Sequence, residues 1–196
     1  MKCIDPVSAT VITFIRIKEA DMKGSGELEK TAALNAAAAM AAGARTAPKT
    51  RGIDNIEVVS VDDEATRTKL IDKMRDISKR ETRPGFGRDA DSIAASAAIV
   101  IIGVKANPAG LNCGFCGYPT CAALGKTGGI CAYNSVDLGI AVASASSVAH
   151  LSYIDNRIMY SIGRAALDLK LFSDGVKQAL GIPLSVTGKS PFFDRK

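Results

Sequence analysis

Four of the five cysteines of this 196-residue chain stand together: Cys113, Cys116, Cys121 and Cys131, in the spacing C-x2-C-x4-C-x9-C. Thiolate sulfur is the natural ligand of soft metals, and four thiolates complete either an iron–sulfur cluster or a tetrahedral zinc site. Ligands this close in sequence let one loop wrap a centre at small cost in chain entropy. Gly114 and Gly117 each follow a cysteine, and Gly125, Gly128 and Gly129 come shortly after. A residue without Cβ lets backbone N–H groups approach inorganic sulfur. Structural zinc sites commonly use two separated C-x2-C knuckles, so the compact glycine-rich run points to a [4Fe-4S] cluster. Zinc is the alternative occupant, and a redox disulfide a third reading. The fifth cysteine, Cys3, stands far off in sequence and reads as an isolated thiol.

The length suits one core, so the expected organisation is an N-terminal extension over residues 1–26 and a single domain over 27–196, with the cysteine loop at 107–133. A net charge of +5 and a pI near 9.0 favour acidic ligands such as phosphates, or a negatively charged redox partner protein. They do not point to nucleic acid, because no basic run is interleaved with aromatic residues. No apolar stretch reaches membrane-spanning length, and Ile15-Arg16-Ile17-Lys18 interrupts what a signal peptide would need. A thiolate-ligated cluster needs a reducing compartment, so a cytoplasmic location is expected.

Along the chain, β-branched residues 7–17 read as a strand, and Glu27–Gly43 as an alanine-rich helix capped by Ser25 and ended by Gly43. A basic loop follows, in which Arg45, Lys49 and Arg51 flank Pro48. It reads either as an anion cradle or as a solvated loop that stops the helix. Asn55–Val61 is a strand. Asp62–Arg80 is a helix, capped by Asp62 or Asp63, with Leu70, Ile71, Met74 and Ile77 on its buried stripe. Glu81–Arg88 reads as a loop and Asp89–Ser96 as irregular. Ala97–Val104 is apolar on both faces, as a central strand would be. After Cys131, Asn134–His150 is a helix apolar nearly all round, with Gly139, Ala143 and Ser147 in a small-residue line suited to close helix approach. His150, the single histidine, reads as a helix C-terminal residue rather than a ligand. Asn156–Lys170 reads as a helix burying Ile158, Ile162, Ala165, Ala166 and Leu169. Leu180–Val186 reads as an edge strand or strand start because of Pro183. Gly188-Lys189-Ser190 lacks the upstream glycine and following helix of a phosphate loop.

The run Cys113-Gly-Phe-Cys-Gly-Tyr-Pro-Thr-Cys121 resembles the small iron–sulfur motif of corrinoid iron–sulfur proteins and electron-transport complex subunits, whose fourth ligand lies farther downstream than Cys131 does here. From about Leu28 to Arg195 the chain resembles an uncharacterised prokaryotic family described as ferredoxin-domain-containing. The phrases carrying this are Ala44-Arg-Thr-Ala-Pro-Lys49, Cys113-Gly-Phe-Cys-Gly-Tyr118, Asp137-Leu-Gly-Ile-Ala141, Asp155-Asn-Arg-Ile-Met-Tyr160, Gly181-Ile-Pro-Leu-Ser185 and Phe192-Phe-Asp-Arg195. The order of elements is more distantly similar to the flavin-dependent nitroreductase fold, in which an N-terminal helix leads through an Ala-Pro-Ser-x-x-Asn-x-Gln-Pro-Trp loop into a strand. Ala47-Pro48 occupies that place here. The family's flavin-contacting Ser, Asn and Gln fall on Lys49, Gly52 and Asp54, so none is kept.

The resemblance implies an α+β, three-layer α/β/α architecture: a mixed, largely antiparallel sheet flanked by helices, with the cysteine loop as a metal-binding insertion. It implies a homodimer formed through the helix after Cys131. It also implies FMN as a second ligand, with Arg45, Lys49, Arg51 and Lys189 as candidate phosphate contacts. The function expected is electron transfer through the cluster, by an oxidoreductase if the protein is an enzyme. The competing expectation is non-catalytic: a four-cysteine site that staples a loop or serves cluster assembly. No histidine-based pair, nucleophile elbow or carboxylate dyad is recognisable by spacing.

Overall fold

A computed structural model describes residues 22–193. The expected strand over 7–17, Cys3 and Arg195 lie outside the described residues. Helix α1 (Ser25–Thr46) leads through a 3-10 turn (Thr50–Gly52) into strand β1 (Ile56–Val61). Helices α2 (Glu64–Arg80) and α3 (Pro84–Ser92) carry the chain to β2 (Ala98–Lys105). The cysteine segment contains one short helix, α4 (Cys121–Lys126), and opens into α5 (Ala132–Leu151). Strand β3 (Asp155–Asn156), helix α6 (Tyr160–Asp168) and strand β4 (Val176–Ser185) complete the fold.

The sheet order is β1-β2-β4-β3, and the described pairs are all antiparallel. Strand β2 is buried along seven of its eight residues, because its alternating side chains feed two cores. Val100, Ile102 and Val104 meet α1 and α5 on one face. Ile99 and Ile101 meet α2, α3 and α6 on the other. The three-layer α/β/α expectation therefore holds.

Several local expectations are corrected. Helix α1 does not end at Gly43 but runs on to Thr46, and Gly43 packs closely against α5: a Cβ there would lie 3.1 Å from Val148 Cγ2. Ser25 is its first helical residue and not its cap, which is Gly24. The cap of α2 is Asp63, whose carboxylate accepts from the Thr66 N–H. Glu81–Arg88 is not a loop throughout. Pro84 starts α3, its fixed φ suiting a first helical position, and Phe86 and Ala90 bury its inner face. Residues 156–159 are not helical: Asn156 is in β3 and Met159 bridges Gly181, so Ile158 is 46% exposed rather than buried. Strand β4 begins at Val176 and lies between β2 and β3. Pro183 is tolerated because alternation sends Leu184 toward β2, where its carbonyl accepts from Ala97, and turns the missing Pro183 N–H to the other side.

Candidate functional site

Cys113, Cys116, Cys121 and Cys131 line one small pocket, together with Asn112, Phe115, Thr120, Tyr133 and their neighbours. All four are free thiols, with Cys113 exposed and Cys131 buried. Three local devices present them. Gly114 (φ +73°) and Gly117 (φ +83°) are left-handed, and the Gly117 N–H donates to the Gly114 carbonyl at 2.8 Å, which curls the chain around Cys116. A Cβ at either glycine would meet nothing within 4 Å, so backbone conformation and not space calls for glycine here. Cys121 is the first residue of α4, whose cap Thr120 accepts from the Ala123 N–H. Cys131 is the N-cap of the 20-residue α5, with no side-chain cap of its own. Its backbone thus places it at the N-terminal end of a long helix.

One contributor was not found from sequence. Asn112 sits at φ 47°, donates its N–H to Cys121 Sγ at 3.4 Å, and accepts the Cys121 N–H on Oδ1 at 2.8 Å. It locks the two sides of the pocket together with an N–H to sulfur bond of the kind that tunes a metal thiolate. The available signal was that asparagine enters left-handed turns more readily than most residues.

Among the described residues no three or more His, Cys, Asp or Glu side chains are gathered tightly enough to form a finished metal-ligand set. The donor chemistry nevertheless fits a thiolate-ligated centre: four free cysteines line a shared pocket whose lining contains no competing carboxylate or histidine. Zinc fits the same donors.

Arg45 and Lys49 both reach the carboxylate of Asp54. Arg45 donates to the Ile56 carbonyl and pairs with Asp54 at 3.1 Å. Lys49 has only 7% of its side chain exposed, and its ammonium donates to the carbonyls of Arg45 and Ala47. Arg51 donates to the Ala109 carbonyl at the root of the cysteine loop. Lys189 lies in the C-terminal tail beyond β4, where its carbonyl accepts from the Thr187 hydroxyl. Arg45 therefore ties the loop to β1 and Arg51 ties it to the cysteine loop, while Lys49 ties it to itself, as its solvated-loop reading only partly anticipated.

A larger cleft of about 820 Å³ opens beside the first turns of α5, against β4 and α6. Ser135, Gly139, Tyr160, Arg164, Phe172 and Gln178 are among its lining residues. Ser135 is four positions after Cys131, and its hydroxyl donates to Gln178 Oε1 across the cleft wall. Nothing in the sequence singled this cleft out, because its walls come from three separate stretches.

Residues 127–195 match the model of a family described as uncharacterized protein containing a ferredoxin domain (DUF2148). That match takes in Cys131 and begins after Cys121. An uncharacterised protein of Archaeoglobus fulgidus is 42% identical over 188 residues, covering 91% of this chain and 97% of its own. The chain belongs to this ferredoxin-domain family. The fold of this ferredoxin-domain protein is that of nitroreductases. A nitroreductase with bound FMN from Bacteroides fragilis superposes with a TM-score of 0.59 at 9% identity, over 83% of this chain and 81% of that one. A nitroreductase with bound FMN from Desulfitobacterium hafniense gives 0.56 at 13% identity, over 89% and 85%. No described helix is long and apolar enough to cross a membrane.

Proposed function

We propose that the protein is an iron–sulfur electron carrier in which Cys113, Cys116, Cys121 and Cys131 hold one [4Fe-4S] cluster. The observation that carries this reading is the shared pocket of four free thiols, set on glycine turns and helix starts. The family's ferredoxin description supports it. A cluster of this type supplies one-electron transfer, at a potential tuned by burial and by hydrogen bonds to sulfur. The chain's own part is to bury Cys131, expose Cys113, and aim the Asn112 N–H at Cys121. Exposure at Cys113 gives a redox partner protein an approach. The cleft beginning near Ser135 gives a small acceptor a place beside the first turn of α5. FMN is the acceptor class to test first, since neighbours of this fold bear it in their structures.

The reading further holds that the protein works as a homodimer in the cytoplasm, and that any enzymatic activity is an oxidoreductase's. The test is anaerobic reconstitution with iron and sulfide. Four iron and four sulfide per chain, with loss of both in Cys131→Ser and no loss in Cys3→Ser, are expected. Recovery of zinc alone, or a Cys131→Ser variant with full iron content, would refute the assignment.

A second reading has one observation in its favour. Between β2 and α5 only the six-residue α4 is regular, so a metal would also staple a long loop. Cys116→Ser separates the two. A staple loses thermal stability in proportion to metal loss, whereas a carrier loses electron transfer even where stability is kept.

A further inference from the structure

Two consecutive residues of one short turn hold the two ends of the cysteine segment. Thr50 donates both its N–H and its hydroxyl to Asp137 Oδ1, at 3.0 and 2.9 Å. Asp137 is only 4% exposed and lies six positions after Cys131 on α5. Arg51 donates through Nη1 to the Ala109 carbonyl at 2.8 Å, four positions before Cys113. Ala109 and Cys131 are both in the wall of the cysteine pocket. One arm of that pocket is therefore tied to residue 51 and the other to residue 50.

The turn is built for this. Arg51 is left-handed at φ 59°, ψ 13°, a conformation that is unfavourable for a residue with a Cβ. Gly52 follows at φ +66°. Gly110, beside the bonded Ala109 carbonyl, is also left-handed at φ +71°, and a Cβ there would lie 3.2 Å from Arg51 Nη1. Glycine leaves the guanidinium its room. Asn55, just downstream, adds a third tie: its carbonyl accepts from the Lys105 N–H, and its side chain accepts from Asn107 Nδ2 at 2.8 Å.

We infer that the Thr50–Gly52 turn is a clasp that sets the spacing between the two arms of the cysteine pocket, with Thr50, Arg51 and Asp137 as positioning residues. The basic loop then serves the metal centre by geometry, and not by holding a phosphate. The inference rests on the proposed cluster for its consequence and on the hydrogen bonds for its mechanism. Without the clasp, Cys113 and Cys116 would move independently of Cys131, and the four sulfurs would converge less often. Loss of such supporting bonds commonly weakens a metal site by about 10–100-fold.

Two measurements test it. In the apoprotein, a short bifunctional thiol reagent should cross-link Cys116 to Cys131. The yield should fall several-fold in Arg51→Ala and Thr50→Val, and recover in Arg51→Lys, which keeps a donor. In the reconstituted protein, iron release to a chelator should be about tenfold faster in Arg51→Ala than in wild type, with an altered electron paramagnetic resonance line shape after reduction. Circular dichroism of each variant should match wild type, which separates a loosened pocket from an unfolded chain. Cross-link yields unchanged by Arg51→Ala and Thr50→Val would overturn the clasp. A wild type that takes up no iron would overturn the cluster reading while leaving the cross-link result to decide the clasp.

Discussion

At the scale of single residues, Glu57 shows how a charge holds this sheet to its surroundings. The Ser173 hydroxyl donates to Oε1 at 2.5 Å, Lys105 stands 2.9 Å from the same oxygen, and the Ser173 N–H reaches Oε2. The Ser173 hydroxyl first, and then Lys105, hold the Glu57 carboxyl at about 2 against an ordinary value of 4.5. A carboxylate whose pKa is depressed by folding adds stability above its unfolded pKa, and loses it as pH falls through the folded one. The contribution is therefore complete at neutral pH and disappears between about 4.5 and about 2. Glu57→Gln should lower the thermal midpoint at neutral pH, and the gap from wild type should close as the pH is brought down through that window. A gap of constant size would show that the ionised carboxylate is not what matters. The sequence offered no hint of this contact, since Glu57 and Ser173 are joined only by the closing of the sheet. The cysteines were legible because their chemistry is carried by residue type and spacing. Asn112 and Thr50 were not, because their roles depend on what the fold sets opposite them.

At the scale of elements, the helices with a clear apolar stripe were legible and those defined by contact were not. The stripe of α2 through Leu70, Ile71, Met74 and Ile77 is buried as the periodicity demands. The continuous apolar run of β2 was recognisable for the same reason, since burial on both faces removes alternation. The end of α1 was misplaced because Gly43, which looks like a stop signal, lies inside the helix against α5, and the start of α6 because Asn156 and Met159 pair with β4 instead. Gly163 of α6 makes a closer approach still. A Cβ there would fall 1.8 Å from the Ala179 carbonyl oxygen of β4. That neighbour is backbone held in the sheet, so it cannot move aside as a side chain would. Gly163→Ala should destabilise the protein by roughly 3 kcal/mol or more, at or above the usual cost of overpacking, despite alanine's better helix propensity. Urea denaturation measures it. A midpoint equal to or above that of wild type would mean that α6 can lift from the sheet at no cost.

At the scale of the whole molecule, the question is what covers the outer face of α5. One side of this helix packs in the core through Leu138, Ala141, Val142, Ala145 and Ala149. The other leaves Gly139, Ala143 and Ser147 exposed, and continues into Leu151, which is 78% exposed. The helix carries no lysine, arginine or glutamate, and its one aspartate is buried against Thr50. An uncharged face of small residues allows two helices to approach closely, and a second copy of this chain would present the same face in return. The proposed homodimer would form through this face. Ala143→Arg places two guanidinium groups in the middle of that contact without touching the core of either protomer. Burying them unpaired would weaken association by roughly a hundredfold or more. Light scattering should then report a monomer for Ala143→Arg and a dimer for wild type, with superimposable circular dichroism. A wild type that is monomeric at micromolar concentration would remove the proposal. A variant that remains dimeric would move the interface elsewhere. The result also bears on the redox reading, because α5 begins at Cys131 and borders the cleft at Ser135 and Gly139. Pairing of two α5 helices would place a second protomer against that end of the helix. Loss of the dimer would then slow electron transfer to an acceptor in the cleft, while the iron content stayed the same.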